Sequence, residues 1–220
     1  MIITIDGPVG SGKSSVAKEL AEKLNIYYLN TGMLYRAIAY ILINIFGKKV
    51  EELDKISQKD IEFIPKISYE YIGKEPKISF EDKNLTKELF HPLIEKASSI
   101  ISAKKEVREK LLELQRSLAQ KYDLVAEGRD CGSVVFPHAD YKFFLTADVE
   151  SRARRVVTDK KRANEDMDMQ KVKAELEARD KRDEERKVSP LTIPDNAIVI
   201  DNSKMNKEET IKEFLRFIKS

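Results

Sequence analysis

Apolar positions along the chain switch between two periods, and the switches mark out the elements. Ile2–Asp6 is a short β-branched run closed by Gly7, which predicts a buried strand. Over Lys13–Leu24 the residues Val16, Ala17, Leu20 and Leu24 recur on one face, which predicts a helix. Ile26–Leu29 reads as a second short strand, and Thr31 as the cap of a helix from about Met33 to Phe46. Strand, turn, helix, strand, helix is the pattern of an α/β fold with a parallel sheet flanked by helices.

From Lys48 to about Ser98 the pattern changes. Ile67–Ile72 and Pro76–Glu81 are strand-like runs joined through Gly73, Lys74 and Glu75, so a hairpin is predicted inside an inserted subdomain. Leu85 to Lys121 has helical spacing. Asp123–Glu127 and Tyr141–Thr146 read as core strands, Val149–Thr158 as a basic helix and Asp168 to about Arg186 as a heavily charged one. Pro190 and Pro194 make Lys187–Asn196 a loop; Ala197–Asp201 is predicted as a last buried strand and Lys207–Lys219 as a closing amphipathic helix. No internal repeat is present. The expectation is one domain over residues 1–220 with an insert at about 48–100.

Composition narrows the functional classes. At 220 residues with 41% hydrophobic content the chain can bury a sizeable core. Charged residues make up 35%, yet 40 basic residues face 38 acidic ones, which argues against a protein that coats a polyanion. Even the charged stretch 150–187 balances 13 basic against 11 acidic residues, so no nucleic-acid partner is expected. The single cysteine, Cys131, excludes an internal disulfide and a multi-cysteine zinc site and fits a reducing cytoplasm. His91 and His138 have no metal-ligand spacing. The N-terminus shows no secretory signal, and the longest apolar stretch, Ile38–Phe46, is far short of a membrane span.

The most informative string is Gly7-Pro8-Val9-Gly10-Ser11-Gly12-Lys13-Ser14, a match to G-x-x-x-x-G-K-[ST]. Its glycines let backbone N–H groups turn inward and cradle a phosphate chain, and the helix that follows adds its positive dipole end. Lys13 would reach the β- and γ-phosphates and the Ser14 hydroxyl would ligate Mg²⁺; Ser15 completes the ATP-binding stretch. The alternative, a glycine-rich turn without a ligand, is disfavoured by the apolar strand before and the amphipathic helix after. No N-K-x-D base-reading motif of a GTPase is present; Asn206-Lys207-Glu208-Glu209 lacks the aspartate.

At the end of a predicted parallel strand stands Glu127-Gly128-Arg129-Asp130, at the sheet edge where such folds bind ligands. A planar guanidinium there suits a second phosphate, and an adjacent carboxylate a base or sugar. Arg179, Asp183 and Arg186 are spaced four and three, so they share one face of a predicted helix that also carries Asp180 and Arg182. Arg152, Arg154 and Arg155 open another. Either helix face also reads as merely solvated. A phosphate loop together with scattered arginines points to a small-molecule kinase, because bringing two anionic nucleotides together needs positive charge and exclusion of water.

With these strings assembled, the chain resembles the bacterial cytidylate kinases. The resemblance rests on IDGPVGSGKSS at the start, YLNTGMLYRA at 28–37, AEGRDCGSVVFPHAD at 126–140, RDKRDEERKVSPL at 179–191 and AIVID at 197–201. It implies a P-loop NTPase-type parallel sheet, a monophosphate-binding insert and a short lid at about 152–168. It also implies transfer of the γ-phosphoryl of ATP to CMP or dCMP, with Mg²⁺, by a monomer. Position by position, it assigns Arg36, Arg129 and Arg186 to the CMP phosphate; Ser99, Arg108 and Asp130 to the cytosine edge; and Arg179 and Asp183 to the ribose. Thr31 falls in the same acceptor set. Lys13, Arg152 and Arg155 approach the ATP phosphates as catalytic groups. Phe90 and Val156 stand where relatives carry arginine. No general base is implied, since the acceptor is already an oxyanion. Other acceptors on the same fold (UMP, AMP or shikimate), or an ATP-switched binding module without turnover, are the alternatives.

Overall fold

The structure, a computed structural model, describes residues 1–162 and 168–218. Its main elements, in chain order, are β1 (Ile2–Asp6), α1 (Lys13–Leu24), β2 (Tyr27–Asn30), α2 (Thr31–Tyr40), β3 (Ile67–Ile72), β4 (Glu75–Phe80) and β5 (Lys83–Asn84). Then follow α3 (Pro92–Ile101), α4 (Lys105–Lys121), β6 (Leu124–Glu127), β7 (Tyr141–Thr146), α5 (Val149–Arg162), α6 (Met169–Glu185), β8 (Ile198–Asp201) and α7 (Lys207–Phe217). The chain forms two compact units: Met1–Ile26 with Leu124–Ser220, and Tyr27–Asp123.

In the first unit the strands β6, β1, β7 and β8 lie side by side and parallel. β1 is central, with Ile3 opposite Val125 on one side and Tyr141 on the other. Ile3, Thr4, Ile5 and Asp6 are all fully buried, as a parallel strand covered on both faces requires. Val16, Ala17 and Leu20 of α1 supply part of the cover, and Phe143 of β7 meets Phe214 of α7 with ring centroids 4.5 Å apart. The last strand differs from expectation: it is an edge strand, buried only at Ile200, with Val199 half exposed. The carboxyl ends of all four strands carry the residues of interest. The phosphate loop follows β1, Glu127–Asp130 closes β6, Arg152 lies six residues past β7, and Asn202 follows β8.

The second unit contains the antiparallel sheet β3-β4-β5, with Ile67 opposite Phe80 and Ile72 opposite Glu75. The hairpin turns at Gly73, as the spacing predicts. Tyr69 and Tyr71 donate hydroxyl hydrogen bonds to the Tyr28 carbonyl, and Phe46, Phe63 and Phe80 pack edge to face. Two expectations are corrected here. Thr31 does not cap α2: Asn30 does, its side chain accepting from the Met33 N–H, and α geometry ends at Tyr40 where a wider π-type turn, Ile41–Ile45, takes over. The helical stretch expected over 85–121 is two helices. Pro92 cannot donate to a preceding turn and so begins α3, with His91 Nδ1 accepting from the Leu93 N–H. A break at 102–104 separates α3 from α4.

The tightest point of the first unit is Gly7. Its φ is +147°, and a Cβ built there would lie 2.1 Å from the Leu145 carbonyl oxygen. Gly7→Ala is therefore expected to cost at least about 2 kcal/mol, from backbone strain and overpacking together. Urea unfolding measures this; an unchanged midpoint would show that the loop does not need this close approach to β7.

Candidate active site

The loop Gly7–Gly12 crosses from the end of β1 into α1. Lys13 is buried, its Nζ donating to the Pro8 carbonyl at 2.6 Å and to Ser11 Oγ at 3.4 Å. The Ser14 hydroxyl donates to Glu127 Oε1 at 2.8 Å. On the outer side Arg155 Nη1 donates to the Ser11 carbonyl and to Asn202 Oδ1, its Nη2 to the Asn202 carbonyl, and Asn202 Nδ2 to the Ser11 carbonyl. This lattice borders a cavity of about 460 Å³ whose lining includes Gly10, Ser15, Arg155, Asn202, Met205 and Lys207. Arg152 is buried, with Nε on the Ala147 carbonyl and Nη1 on the Val9 carbonyl, each at 3.0 Å. Arg154, by contrast, is exposed. The lid expected at 152–168 falls partly at 163–167, outside the described residues.

The end of β6 brings a second cluster together. Arg129 Nε donates to Asp183 Oδ2 at 2.8 Å, and the largely buried Arg186 lies 3.8 Å from Asp130 Oδ1 and 4.0 Å from Asp183 Oδ1. Behind them Asp6 is fully buried, its two carboxylate oxygens accepting from the Cys131 and Gly132 N–H groups at 2.7 Å each. The approach is close: a Cβ at Gly132 would stand 2.8 Å from Thr4 Oγ1 and 3.3 Å from Asp6 Oδ2. Asp6 thereby fixes the turn that begins at Asp130, which Val134 and Val135 close by donating to the Asp130 carbonyl. Cys131 itself is fully buried, in keeping with a structural role.

The charges answer one another. Burial lowers the Lys13 ammonium to about 7, with Arg129 and Arg179 adding to the effect and Glu127 opposing it. Burial raises the Asp6 carboxyl to about 7, opposed by the Gly132 N–H and reinforced by Asp130. For Asp183 burial works upward, but the charge and hydrogen bond of Arg129, with Arg179 and Arg186, hold it below the ordinary 3.8. Burial thus dominates at Lys13 and Asp6, and the surrounding guanidinium groups decide the direction only at Asp183.

The remaining acceptor candidates lie in the second unit. Thr31 is buried in the first turn of α2. Arg36, on the same helix, lies 5.3 Å from the Phe90 ring centroid and 3.4 Å from Glu95 Oε1. Arg108 is buried over the Tyr35 ring at 5.3 Å, with Nη1 on the Ser102 carbonyl. Ser99, on α3, is half-buried.

Four residues to which the sequence assigns no role belong to this architecture: Asp6 and Asn202, and also Glu127 and Asp180, which stand in strings already singled out. Glu127 and Asp6 each end a buried strand next to a glycine, a pattern that sequence displays. Asn202 follows a strand at the same edge. Asp180 sits beside the arginine face of α6 and carries no separate signal.

Arg129 and Asp183 are mostly buried, with side chains 18% and 9% exposed, so removing one strands the other. Asp183→Ala is expected to lower stability at pH 7 by about 3 kcal/mol. Because Asp183 ionises below 3.8 in the folded chain, its contribution is full above that pH and is lost as pH falls through the folded value. Urea titrations at pH 7 and pH 3 check this: the gap between variant and parent should narrow at pH 3, and an equal gap at both would remove the ion pair as its cause.

The family model for cytidylate kinase matches residues 3–220. A cytidylate kinase from Caldanaerobacter subterraneus subsp. tengcongensis is 37% identical over 219 residues, covering 99% of this chain and 94% of that protein. One from Desulfitobacterium hafniense is 38% identical over 215 residues, covering 97% and 90%. In fold alone, the chain is similar to a solved uncharacterized protein from Eubacterium ventriosum ATCC 27560, with a TM-score of 0.55 at 17% identity over 99% of this chain and 98% of that one. A phosphate loop and an arginine–aspartate corner on one sheet edge, and a sequence match over nearly the whole chain, agree: the chain belongs to the cytidylate kinase family.

Proposed function

We propose that this chain transfers the γ-phosphoryl group of ATP to CMP or dCMP, giving ADP and CDP or dCDP. The observation that carries this is the meeting, at the carboxyl ends of β1 and β6, of the Lys13 loop with the Arg129–Asp130–Asp183–Arg186 cluster. One flank offers backbone N–H groups and an ammonium to a triphosphate; the other offers guanidinium forks to a second phosphate.

In this reading Gly7–Ser15 receive the ATP phosphates, and Lys13, Arg152 and Arg155 counter their charge. Arg36, Arg129 and Arg186 take the CMP phosphate. Ser99, Arg108 and Asp130 read the cytosine edge, where a carboxylate accepts from the exocyclic amine and disfavours the carbonyl of uracil. Arg179 and Asp183 take the ribose, and Thr31 completes the acceptor set. A CMP phosphate oxygen attacks the γ-phosphorus, and the bond to the β–γ bridging oxygen breaks with its electrons leaving on ADP. The attacking oxygen already carries negative charge, so no residue need act as a base; positioning and charge neutralisation lower the barrier.

Kinase chemistry of this type uses ATP with a divalent metal, and we read that metal as Mg²⁺. Ser14 Oγ in the first turn of α1 and Glu127 Oε1 at the end of β6, hydrogen-bonded at 2.8 Å, are an oxygen pair of the kind a hard cation would take beside phosphate oxygens and water. When bound, the ion neutralises charge on the β- and γ-oxygens. We read residues 48–100 as the monophosphate-binding insert and about 152–168 as a lid of one kinase domain. The protein is read as a cytoplasmic monomer without membrane or nucleic-acid partners. Among the described residues no helix is long and apolar enough to cross a membrane.

Coupled ADP-release assays across CMP, dCMP, UMP, AMP and shikimate test the reading. Saturable ADP formation with CMP or dCMP is expected. Equal rates with AMP would remove base reading, and ATP binding without acceptor-dependent turnover would make the protein a switch. Lys13→Ala is expected to lower kcat by about 10²–10³-fold. Asp130→Ala is expected to raise the KM for CMP by about 10-fold or more while leaving that for ATP near its parent value. An unchanged CMP KM would contradict the role of Asp130.

A further inference from the structure

Asp180 has no part in the chemistry above, yet it is among the most constrained carboxylates of the first unit. It is 7% exposed, and both its oxygens are engaged. Oδ1 accepts from the Val9 N–H at 3.3 Å, and Oδ2 accepts from Arg152 Nη1 at 2.5 Å. The same Arg152 nitrogen donates to the Val9 carbonyl at 3.0 Å. The Val9 backbone is therefore bracketed on both sides of its Cα: its N–H by the carboxylate, its C=O by the guanidinium, and the two brackets by each other. The Val9 side chain packs against a buried cluster of Ala153, Val157, Val172 and Leu176, from α5 and α6. This third residue of the phosphate loop is thus held by both helices that carry the site's arginines.

The spacing on α6 gives the arrangement a logic. Asp180 and Asp183 stand three apart, on neighbouring positions of one helix face. Each holds an arginine from another element: Asp183 takes Arg129 from the end of β6, and Asp180 takes Arg152 from α5. An unanchored arginine loses rotamer freedom when it must meet a phosphate; one already held in a charge-assisted pair has lost it beforehand. Surface pairs on α6 such as Lys181–Glu185 are exposed and have no such consequence.

We propose that Asp180 is a positioning residue for phosphoryl transfer, holding the Arg152 guanidinium against the Val9 peptide so that the phosphate loop and this arginine act as one rigid unit. The proposal rests on the kinase reading above and deepens it. Asp180 does not touch substrate; its effect passes through Arg152. Misplacing a group that counters charge on the transferring phosphoryl lowers kcat, whereas ground-state binding of the acceptor, held by other residues, changes little.

A double-mutant cycle of Asp180→Asn and Arg152→Met, read by steady-state ADP formation with CMP, tests this. Asp180→Asn keeps the shape and one acceptor oxygen. It is expected to lower kcat by roughly 10- to 100-fold and leave the KM for CMP within about twofold of the parent. In the double variant kcat should equal that of Arg152→Met alone, because Asp180 has nothing left to position. Parent-like kcat in Asp180→Asn, additive losses in the double variant, or a parallel rise in the CMP KM would each overturn the proposal. If Asp180→Asn fails to fold by circular dichroism, Asp180→Glu carries the same test, since it keeps the charge and displaces the fork. The parent enzyme separates the two readings. Absence of CMP-dependent turnover in the parent removes the kinase reading itself, while parent turnover with an unaffected Asp180→Asn removes only this inference.

Discussion

The ion pair between Arg129 and Asp183, 2.8 Å long and mostly out of water, is the interaction on which the rest of the site depends. A site that draws two polyanions together must store positive charge, and a fold tolerates stored charge only when each buried cation has a partner. Here the partners are built in. Asp183 answers Arg129, Asp180 answers Arg152, and Asp130 and Asp183 face Arg186. The cost of keeping such charge shows at Lys13, whose ammonium burial and Arg129 push down to about 7.

Backbone geometry holds this charge in place. Asp6 ends the central strand of the first unit and grips the Cys131 and Gly132 N–H groups, tying the strand that launches the phosphate loop to the turn that presents Arg129 and Asp130. Arg155 and Asn202 clasp the Ser11 carbonyl from the other side. The phosphate loop and the Arg129–Asp130 turn of this unit thus share one sheet edge, and a shift in either is transmitted through covalent chain and buried hydrogen bonds.

Much of this was legible in the chain itself. The strand–loop–helix of residues 2–24 and the hairpin of 67–80 follow from periodicity and turn residues, because each is decided by local pattern. The Gly7–Ser14 loop and the E-G-R-D corner were readable because their chemistry requires particular residue types at short spacing. The cap of α2 was misplaced by one residue because Asn30 and Thr31 both carry a capping oxygen, and only the backbone turn decides between them. The break between α3 and α4 leaves no glycine or proline of its own at 102–104. β8 looks apolar enough to be central, yet it lies at the sheet edge, a fact of topology that no window of sequence contains. Asp6 escaped for the same reason, since its partner at Cys131 lies 125 residues away, and the hydrogen bond from the Val9 N–H to Asp180 spans 171.

A crystal structure of the protein with CMP bound would show directly what the Arg129–Asp183 and Arg186–Asp130 pairs do when an anion arrives. The phosphate of CMP should sit with its oxygens about 3 Å from guanidinium nitrogens of Arg129 and Arg186. A CMP phosphate bound elsewhere, with both arginines still bonded only to Asp183 and Asp130, would contradict it.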